Sequence, residues 1–433
     1  MTIFTGDFKE EPYWWDAAPR PAWPERALPS TVDVAVVGSG YTGLSAALTL
    51  ARNGREPFVF EAGAIGEAAS TRSAGHVGRQ LKWSFSELVE KYGADTAAHL
   101  YREMGVAQDY LKSLIESEQI ACQFYISNRY LAAHSPRAYE KLAKSVEPLR
   151  RDIGLETTMV PRAEQHKYVG SDGYYGGQVV HGTGMLHAAL YHQGLLDRVV
   201  SSGVTIAPHA RVTNVARDGD RFVVSTVRGR TVARNVILAT NAHTGPEGTV
   251  MRHLRRRLIP VRTYAATTET LPKAQLDRII PSGIPVIDTH KVVFHIQWSP
   301  DATRIIMGGK AGRDWGGIRG AASGLHAHFT ALFPDLRGAR LSHAWDGYFA
   351  FTFDYVPHIG VHEGVHYALG CCATGVPMGT YLGHKIALKV IGHKDAATVF
   401  DNRAFPTMPL YTGDPWFVPA VMSWYDAKDR LLG

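Results

Sequence analysis

The chain has 433 residues, too many for one compact core and suited to two closely associated domains. Hydrophobic residues make up 45% and charged residues 20%, a globular composition, and no apolar run approaches the ~18 residues of a membrane-spanning helix. The formal net charge of +6 comes with no nucleic-acid-binding motif, so neither nucleic acid nor a membrane is an expected partner.

The opening residues M-T-I-F-T-G-D-F-K-E-E have no apolar core and no small-residue cleavage site, so no signal peptide is expected. The cysteines are Cys122, Cys371 and Cys372, an odd and sparse set without zinc spacing. A reducing cytoplasm is the expected location, and no metal site is expected. Residues 1–30 read as an N-terminal arm. Within it, Pro12, Pro19, Pro21, Pro24 and Pro29 forbid regular structure over residues 12–29, and Trp14, Trp15 and Trp23 are expected to anchor the arm by apolar burial.

Thr31 to Gly43 reads T-V-D-V-A-V-V-G-S-G-Y-T-G. The β-branched run predicts a buried strand and Leu44 to Arg52 an apolar helix, with Gly38, Gly40 and Gly43 between them in G-x-G-x-x-G spacing. In a dinucleotide fingerprint the first glycine makes the tight turn, the second admits the pyrophosphate and the third lets helix and strand pack. A second apolar run, Pro57 to Phe60, ends at Glu61, about the ~20 residues onward at which an acid meets a ribose hydroxyl. The small, polar stretch from Ala62 to Val77 can pass close to a flat charged ligand. Ser70, Thr71 and Arg72 are placed to hydrogen-bond phosphate oxygens, although a plain surface loop has the same composition.

Ser84-x-x-Glu87 is a capping box opening a helical region to about Glu118, with Gly93 as a break. Glu140 to Glu147 reads as a charged helix closed by Pro148. Gly182-Thr183-Gly184 precedes a helix from Met185 to Ser201, and His181, His187 and His192 near it read as surface or capping groups. From Val204 to Val232 the period becomes two, with a hairpin turn at Asp218-Gly219-Asp220. Asn235 to Ala242 follows as a separate buried strand ending in small residues, so that backbone can approach a ligand. Residues 256–345 are strand-rich and include a helix from Ala322 to Leu332. The basic run Arg252 to Arg257 is either a solvated crossing or a lure for an anionic substrate. A last strand, Val365 to Leu369, leads through Gly370 to Gly375 into a helix from about Val376 to Val390. This is a second positive helix start, suited to a cofactor with two ends.

Four blocks together resemble the D-amino-acid oxidase-like FAD-dependent oxidoreductases, in the branch with glycine and sarcosine oxidases. They are V-V-G-S-G-Y-T-G with Glu61, S-T-R-S-A-G-H, L-A-T-N-A, and W-x-G-x-x-x-x-T-x-D-x-x-P-x-I-G before the Gly370 turn. The opening P-Y-W-W-D-A-A-P is similar to the arm of the gamma-glutamylputrescine oxidase subgroup. The resemblance implies an α/β fold: a Rossmann-type FAD-binding domain (31–83, 175–250 and 346–400) and a discontinuous antiparallel sheet-plus-helix substrate domain (84–174 and 251–345), with 401–433 as a C-terminal tail. It implies noncovalent FAD held by Gly38, Gly40, Thr42, Gly43, Glu61 and Ala62, then by Ser70, Thr71, Arg72, Ser73, Ala74, Gly75, His76 and Val77. Val212, Thr240, Gly347, Gly375, Val376, Pro377 and Met378 complete the set. Relatives that attach flavin covalently carry the attaching histidine at the position of Arg72 or the cysteine near Gly347.

The implied reaction moves a hydride from the carbon beside nitrogen to flavin N5, giving an imine that hydrolyses to a carbonyl, with oxygen or another acceptor closing the cycle. His76, Tyr264 and Tyr348 are the candidates for lining the amine's side. Two departures stand out. Pro377 and Met378 replace the lysine that the sarcosine-oxidase branch sets against the substrate carboxylate. Ile306 stands near the place of its oxygen-activating lysine, with Lys310 a few residues on. Oxidation of a C–OH bond, or FAD binding without turnover, are the alternative readings.

Overall fold

The β-branched run forms the strand Thr31–Val37, with its last four residues buried. It lies near the middle of a sheet in the computed structural model, which describes residues 2–20, 22–309, 315–401 and 403–432. Gly229–Leu238 and Pro57–Phe60 flank it, both parallel. Val365–Leu369 and Thr205–Ala207 extend the parallel array, and His358–His362 adds an antiparallel edge. Val34, Val36 and Val59 face a core of helices, whereas Ala35, Val37, Phe58 and Phe60 face the hairpin Val212–Asp218 and Arg221–Thr226. Burial of both faces explains the continuous apolar runs.

A second sheet has ten strands among the described residues and is mostly antiparallel. From one edge it runs Phe4–Lys9, Leu341–Thr352, Leu258–Thr268, Ile305–Gly309, His295–Trp298, Val286–Asp288, Tyr125–Ala132, Gly177–Met185 and His76–Val77, and the tenth strand, Thr157–Val160, also pairs with Gly177–Met185. The helix Gly317–Leu332 packs on it, starting earlier than expected.

Several expectations are corrected. The proline-rich stretch 12–29 is not wholly irregular, because Trp14–Ala17 is one helical turn, and ahead of it Phe4–Lys9 pairs with Leu341–Thr352. The prolines bracket that turn rather than interrupt it, and Trp14 is fully buried against Ala189, Ile306 and Trp345. The helix Pro136–Ile153 continues through Pro148. The carbonyl that loses its partner there belongs to the exposed Lys144, where water can serve it. Gly182 to Gly184 is strand interior, not a helix entry. Residues Gly177–Met185 pair with Tyr125–Ala132, and a side chain at Gly184 would press on Phe124. The helix beyond starts at Ala188. Gly229–Leu238 is one strand that pairs antiparallel with the hairpin and parallel with Thr31–Val37, so the separate returning strand merges with the meander. Residues 76–77, 177–185 and 346–352, expected among the FAD-binding segments, belong to strands of the large sheet. Lys310 lies outside the described residues.

The basic run clamps the tail. Arg256 Nε donates to the Tyr411 carbonyl at 2.9 Å and Arg257 Nε to that of Phe405 at 2.8 Å. Arg255 Nη1 donates to the Thr244 carbonyl at 3.1 Å.

The closing helix, Gly375–Val390, crosses the fingerprint helix, Tyr41–Arg52, at very short range. Gly379 faces the Thr42 hydroxyl, and a Cβ on Gly383 would overlap the Thr42 carbonyl. Ser45 Oγ donates to the Thr380 carbonyl at 2.7 Å, and Thr49 Oγ1 meets His384 Nδ1 at 3.0 Å. Gly383→Ala should therefore force the helices apart and destabilise the protein by about 1–3 kcal/mol, the range for overpacking. Gly6→Ala, with nothing within 4 Å, is the control. Equal midpoints in thermal unfolding would show that the crossing is not tight.

Candidate active site

Each glycine of the first turn has a steric reason. Gly38 has φ +104°, and a Cβ there would lie 2.9 Å from the Ala239 carbonyl oxygen. At Gly43 a Cβ would overlap the Gly38 carbonyl, and at Gly40 it would stand 3.0 Å from Ser70 Oγ. Ser70 Oγ accepts from the Tyr41 N–H at 3.1 Å, which sets the 70–77 segment directly against the helix start. No side chain of the N-cap residue, Gly40, closes the helix. Glu61 braces the turn from beneath. Its carboxylate accepts from Ser39 N at 2.8 Å and Ser39 Oγ at 2.6 Å, and from Ala62 N at 2.7 Å. The Glu61 carbonyl accepts from Ala210 N at 2.8 Å, which brings Val212 close by in sequence to the same end of the sheet.

Thr71 and Arg72 do not face outward as a phosphate contact requires. Thr71 is buried and donates to the Gly66 carbonyl at 2.6 Å while accepting from Trp15 Nε1 at 3.0 Å. Arg72 Nε donates to the Glu67 carbonyl at 2.6 Å, its guanidinium lies over the Trp15 ring, and Nη1 reaches the Asp346 carbonyl at 3.1 Å. Local bonds thus satisfy both side chains. Gly347 lies against Arg72 Cβ, 3.6 Å from where its own Cβ would stand. Farther on, the Ala74 carbonyl accepts from Gln297 Nε2 at 3.0 Å, and Gly75 touches the Leu186 backbone too closely for any side chain.

The second helix start follows a strained turn. Gly370, Cys372 and Ala373 have φ of +71°, +50° and +70°, and the two non-glycines cost about 1–3 kcal/mol each. Asn241 secures this turn, its Oδ1 accepting from Gly370 N at 3.0 Å. Thr240 beside it pairs with Thr244. The Thr374 hydroxyl donates to the Cys371 carbonyl at 2.6 Å and does not cap the helix, so the N–H groups of Gly375 and Val376 at the helix start are not closed by the N-cap side chain and keep their positive field. Pro377 removes one donor that the helix would not have used.

His76 is partly buried on its short strand; both ring nitrogens are buried, and neither has a partner among the described residues. Its ring meets that of His295 edge-on at 5.4 Å. Burial, with the nearby Arg129 guanidinium, holds His76 well below the usual imidazole range, and burial takes His295 down to about 4. Both are neutral at physiological pH. Two residues beyond His295, Gln297 keeps a buried Oε1 with no partner. The tyrosines belong to another group. Tyr264 and Tyr348 stand on adjacent strands, two register positions apart, with Arg262 between their rings and paired to Asp346 at 2.7 Å. Tyr264 is buried, whereas Tyr348 is 38% exposed.

The expectation that His192 is a surface or capping group is corrected, and sequence reasoning assigned no role to Asn241, Gln297 or Arg129. His192 is fully buried, and its Nε2 meets the Ser39 carbonyl at 2.9 Å behind the first turn. Burial lowers it to about 4, so the neutral ring donates through Nε2–H. The signal was available, because Ala188, His192, Leu195 and Val199 share the buried helical stripe. Among the described residues no cluster of His, Cys, Asp or Glu is assembled that could hold a metal, and no helix is long and apolar enough to cross a membrane.

A family model described as FAD dependent oxidoreductase, DAO, matches residues 33–388. The probable oxidoreductase OrdL of Haemophilus influenzae is 26% identical over 379 residues, 87% of this chain and 86% of that protein. The gamma-glutamylputrescine oxidoreductase of Escherichia coli is 28% identical over 411 residues, 93% of each chain. The crystal structure of glycine oxidase from Geobacillus kaustophilus superposes with a TM-score of 0.70 at 20% identity, over 88% of this chain and 99% of that one. The residues present fit FAD: a glycine cradle that a Cβ at position 40 would narrow, two helix starts without side-chain caps from their N-cap residues, and an imidazole, that of His76, with both nitrogens buried and unpartnered among the described residues.

Gly40→Val should abolish FAD binding, since its side chain would fill the approach beside Ser70; normal flavin content in the purified variant would refute the cradle. Glu61→Ala should weaken FAD by roughly 1.5–3 kcal/mol, the worth of hydrogen bonds to a charged group, read by flavin titration of the apoprotein. Acid precipitation should leave yellow FAD in the supernatant, because Arg72 is engaged and Gly347 has no side chain. A yellow pellet would contradict this and direct a peptide map to His76.

Proposed function

Because the chain belongs to the DAO family of FAD dependent oxidoreductases, we propose that it oxidises the C–N bond of a primary or secondary amine, in the manner of a gamma-glutamylputrescine oxidoreductase, giving an imine that hydrolyses to a carbonyl. FAD, when bound, supplies the acceptor for the hydride leaving the carbon beside nitrogen. Gly38, Gly40, Gly43, Ser70 and the start of the fingerprint helix would hold its pyrophosphate, and the 73–77 segment and the start of the closing helix would hold its ring.

One observation carries the amine reading. Buried polar atoms without partners lie together at the seam of loop and sheet: the two His76 nitrogens, one of which accepts in the neutral ring, and the acceptor Gln297 Oε1. An amine supplies the N–H donors they lack, and each unpaired buried group otherwise costs about 1–3 kcal/mol. Both imidazoles nearby are neutral and neither is hydrogen-bonded to a carboxylate. An ammonium ion is therefore poorly stabilised there, and the free base, which has the lone pair that drives oxidation, is the form taken up. His76 and Gln297 orient that amine, and the N-terminus of the closing helix stabilises negative charge growing opposite it. The tyrosines 264 and 348, joined through Arg262, line the neighbouring wall and confer shape rather than proton transfer.

Rate should follow the amine's own ionisation. His76 and His295 titrate below the physiological range, so neither adds a step between about pH 5 and 8, and anaerobic flavin reduction should rise with pH until the amine is deprotonated. Stopped-flow measurement with an amine deuterated beside nitrogen should show slowed reduction. A step near pH 6.5 that is independent of the amine would contradict the neutral-histidine account. Failure of all primary and secondary amines to reduce the flavin would remove the amine assignment.

A further inference from the structure

The helix Val418–Leu432 ends the chain, and its seat bears on the candidate site. Side chains alternate along a strand, so Trp345, Gly347, Phe349 and Phe351 share one face of Leu341–Thr352. That face carries the site. Trp345 Nε1 donates to the Arg72 carbonyl at 2.9 Å, and Gly347 lies against Arg72. Register continues the face from Trp345 across Ala265 and Gly308 to His295, whose ring covers Gly308. Val418 and Met422 pack on this same face, with Ile259, Val261, Phe349 and Phe351. Phe349 follows Gly347 on it by only about 7 Å along the strand.

At its other end the helix reaches the approach to the His295 strand. Asp429 Oδ2 accepts from the Lys291 N–H at 2.8 Å, and Lys291 stands shortly before His295 in the chain. Three strand spacings of about 4.8 Å separate Leu341–Thr352 from His295–Trp298. At about 1.5 Å per residue, Val418 to Asp429 covers about 16 Å, enough to bridge them. Lys82 closes the inner side: its Nζ donates to the Lys291 carbonyl at 3.1 Å and lies 5.9 Å from the centre of the Phe351 ring. The helix therefore walls off one end of the ligand face.

Its seat is shallow. Val418 is buried there, whereas Phe349, Phe351 and Met422 stay partly exposed, and Trp424 on the helix is exposed. Ahead of the helix the chain is pinned at Tyr411, which is fully buried, donates through its hydroxyl to the Leu258 carbonyl at 2.6 Å and is held by Arg256. Between that anchor and the helix lies a segment without helix or strand, containing Gly413 at φ +100°. A few loop residues of this kind suffice for a hinge.

Resting on the placement of the site in the proposed function above, we propose that the helix Val418–Leu432 is a lid. It swings about residues 412–417 to admit the substrate to the ligand face, then reseats, latched by Asp429 on Lys291, to exclude water from the reaction.

A reversible lock on the holoenzyme tests this. Lys291→Cys with Asp429→Cys, oxidised to a disulfide, fixes the lid shut, and dithiothreitol followed by anaerobic desalting releases it. Stopped flow then compares two hydride donors: the best alkylamine, and N-benzyl dihydronicotinamide, which reduces flavins without needing an amine site. Both should reduce the locked form at least tenfold more slowly, and release should restore the native rate. Should the disulfide not form, Asp429→Ala decides. Freeing the latch should raise the rate with N-benzyl dihydronicotinamide at least threefold and speed amide exchange of residues 420–429 by a similar factor. Equal rates in the locked and released forms, or unchanged rates in Asp429→Ala, would overturn the lid and leave the helix a fixed wall. Failure of amines alone, with the dihydronicotinamide still slowed by the lock, would remove the amine reading and keep the lid.

Discussion

The rest of the structure depends on a backbone-to-backbone contact between two helices that are more than 320 residues apart in the chain. Gly383 of the closing helix rests on the Thr42 carbonyl of the fingerprint helix, a place no side chain can share. Close approach lets Ser45 bond the Thr380 carbonyl and Tyr191 bond the Thr380 hydroxyl, so one residue of the closing helix is held from two elements. On its other side Tyr381 bonds Glu103 of the long helix Ala94–Ser117. With the axes fixed, both helix starts are fixed, each with its positive end.

The large sheet contributes the opposite kind of chemistry. It brings His76, Arg129, His295 and Gln297 together from three separate strands and leaves most of their polar atoms without partners among the described residues. Native proteins leave few buried polar groups unpaired, so such a cluster marks where a ligand completes the structure. The strained turn at Cys372 and Ala373 is a further local cost borne at the same site, secured by Asn241 and by Cys372 Sγ donating to the Gly370 carbonyl at 3.0 Å. Burial raises the Cys371 thiol to about 11, consistent with a packing role rather than a reactive one.

What was legible in the sequence was local. The fingerprint, the capping box at Ser84 and the Asp218 hairpin each rest on a few adjacent residues with fixed steric needs, and each stands where the pattern placed it. Thr71 and Arg72 were misjudged because polar side chains in a small-residue loop do not reveal which way they turn, and here tertiary partners claimed them. Gly182 to Gly184 misled because glycine serves helix entries and crowded strands alike. Arg129 was invisible for a physical reason: charged residues are expected outside, and nothing in Tyr125–Ala132 distinguishes an inward arginine from an outward one. The grouping of His76 with His295 and Gln297 depends on sheet register across distant segments, which periodicity alone does not define.

Hydrogen exchange of the backbone amides with and without FAD tests the central claim most directly, since it reads both helix starts in one experiment. The account predicts that adding FAD to the apoprotein slows exchange in residues 40–43 and in residues 375–378 together. Protection confined to residues 40–43, with 375–378 exchanging at an unchanged rate, would contradict the claim that the two helices converge on one cofactor.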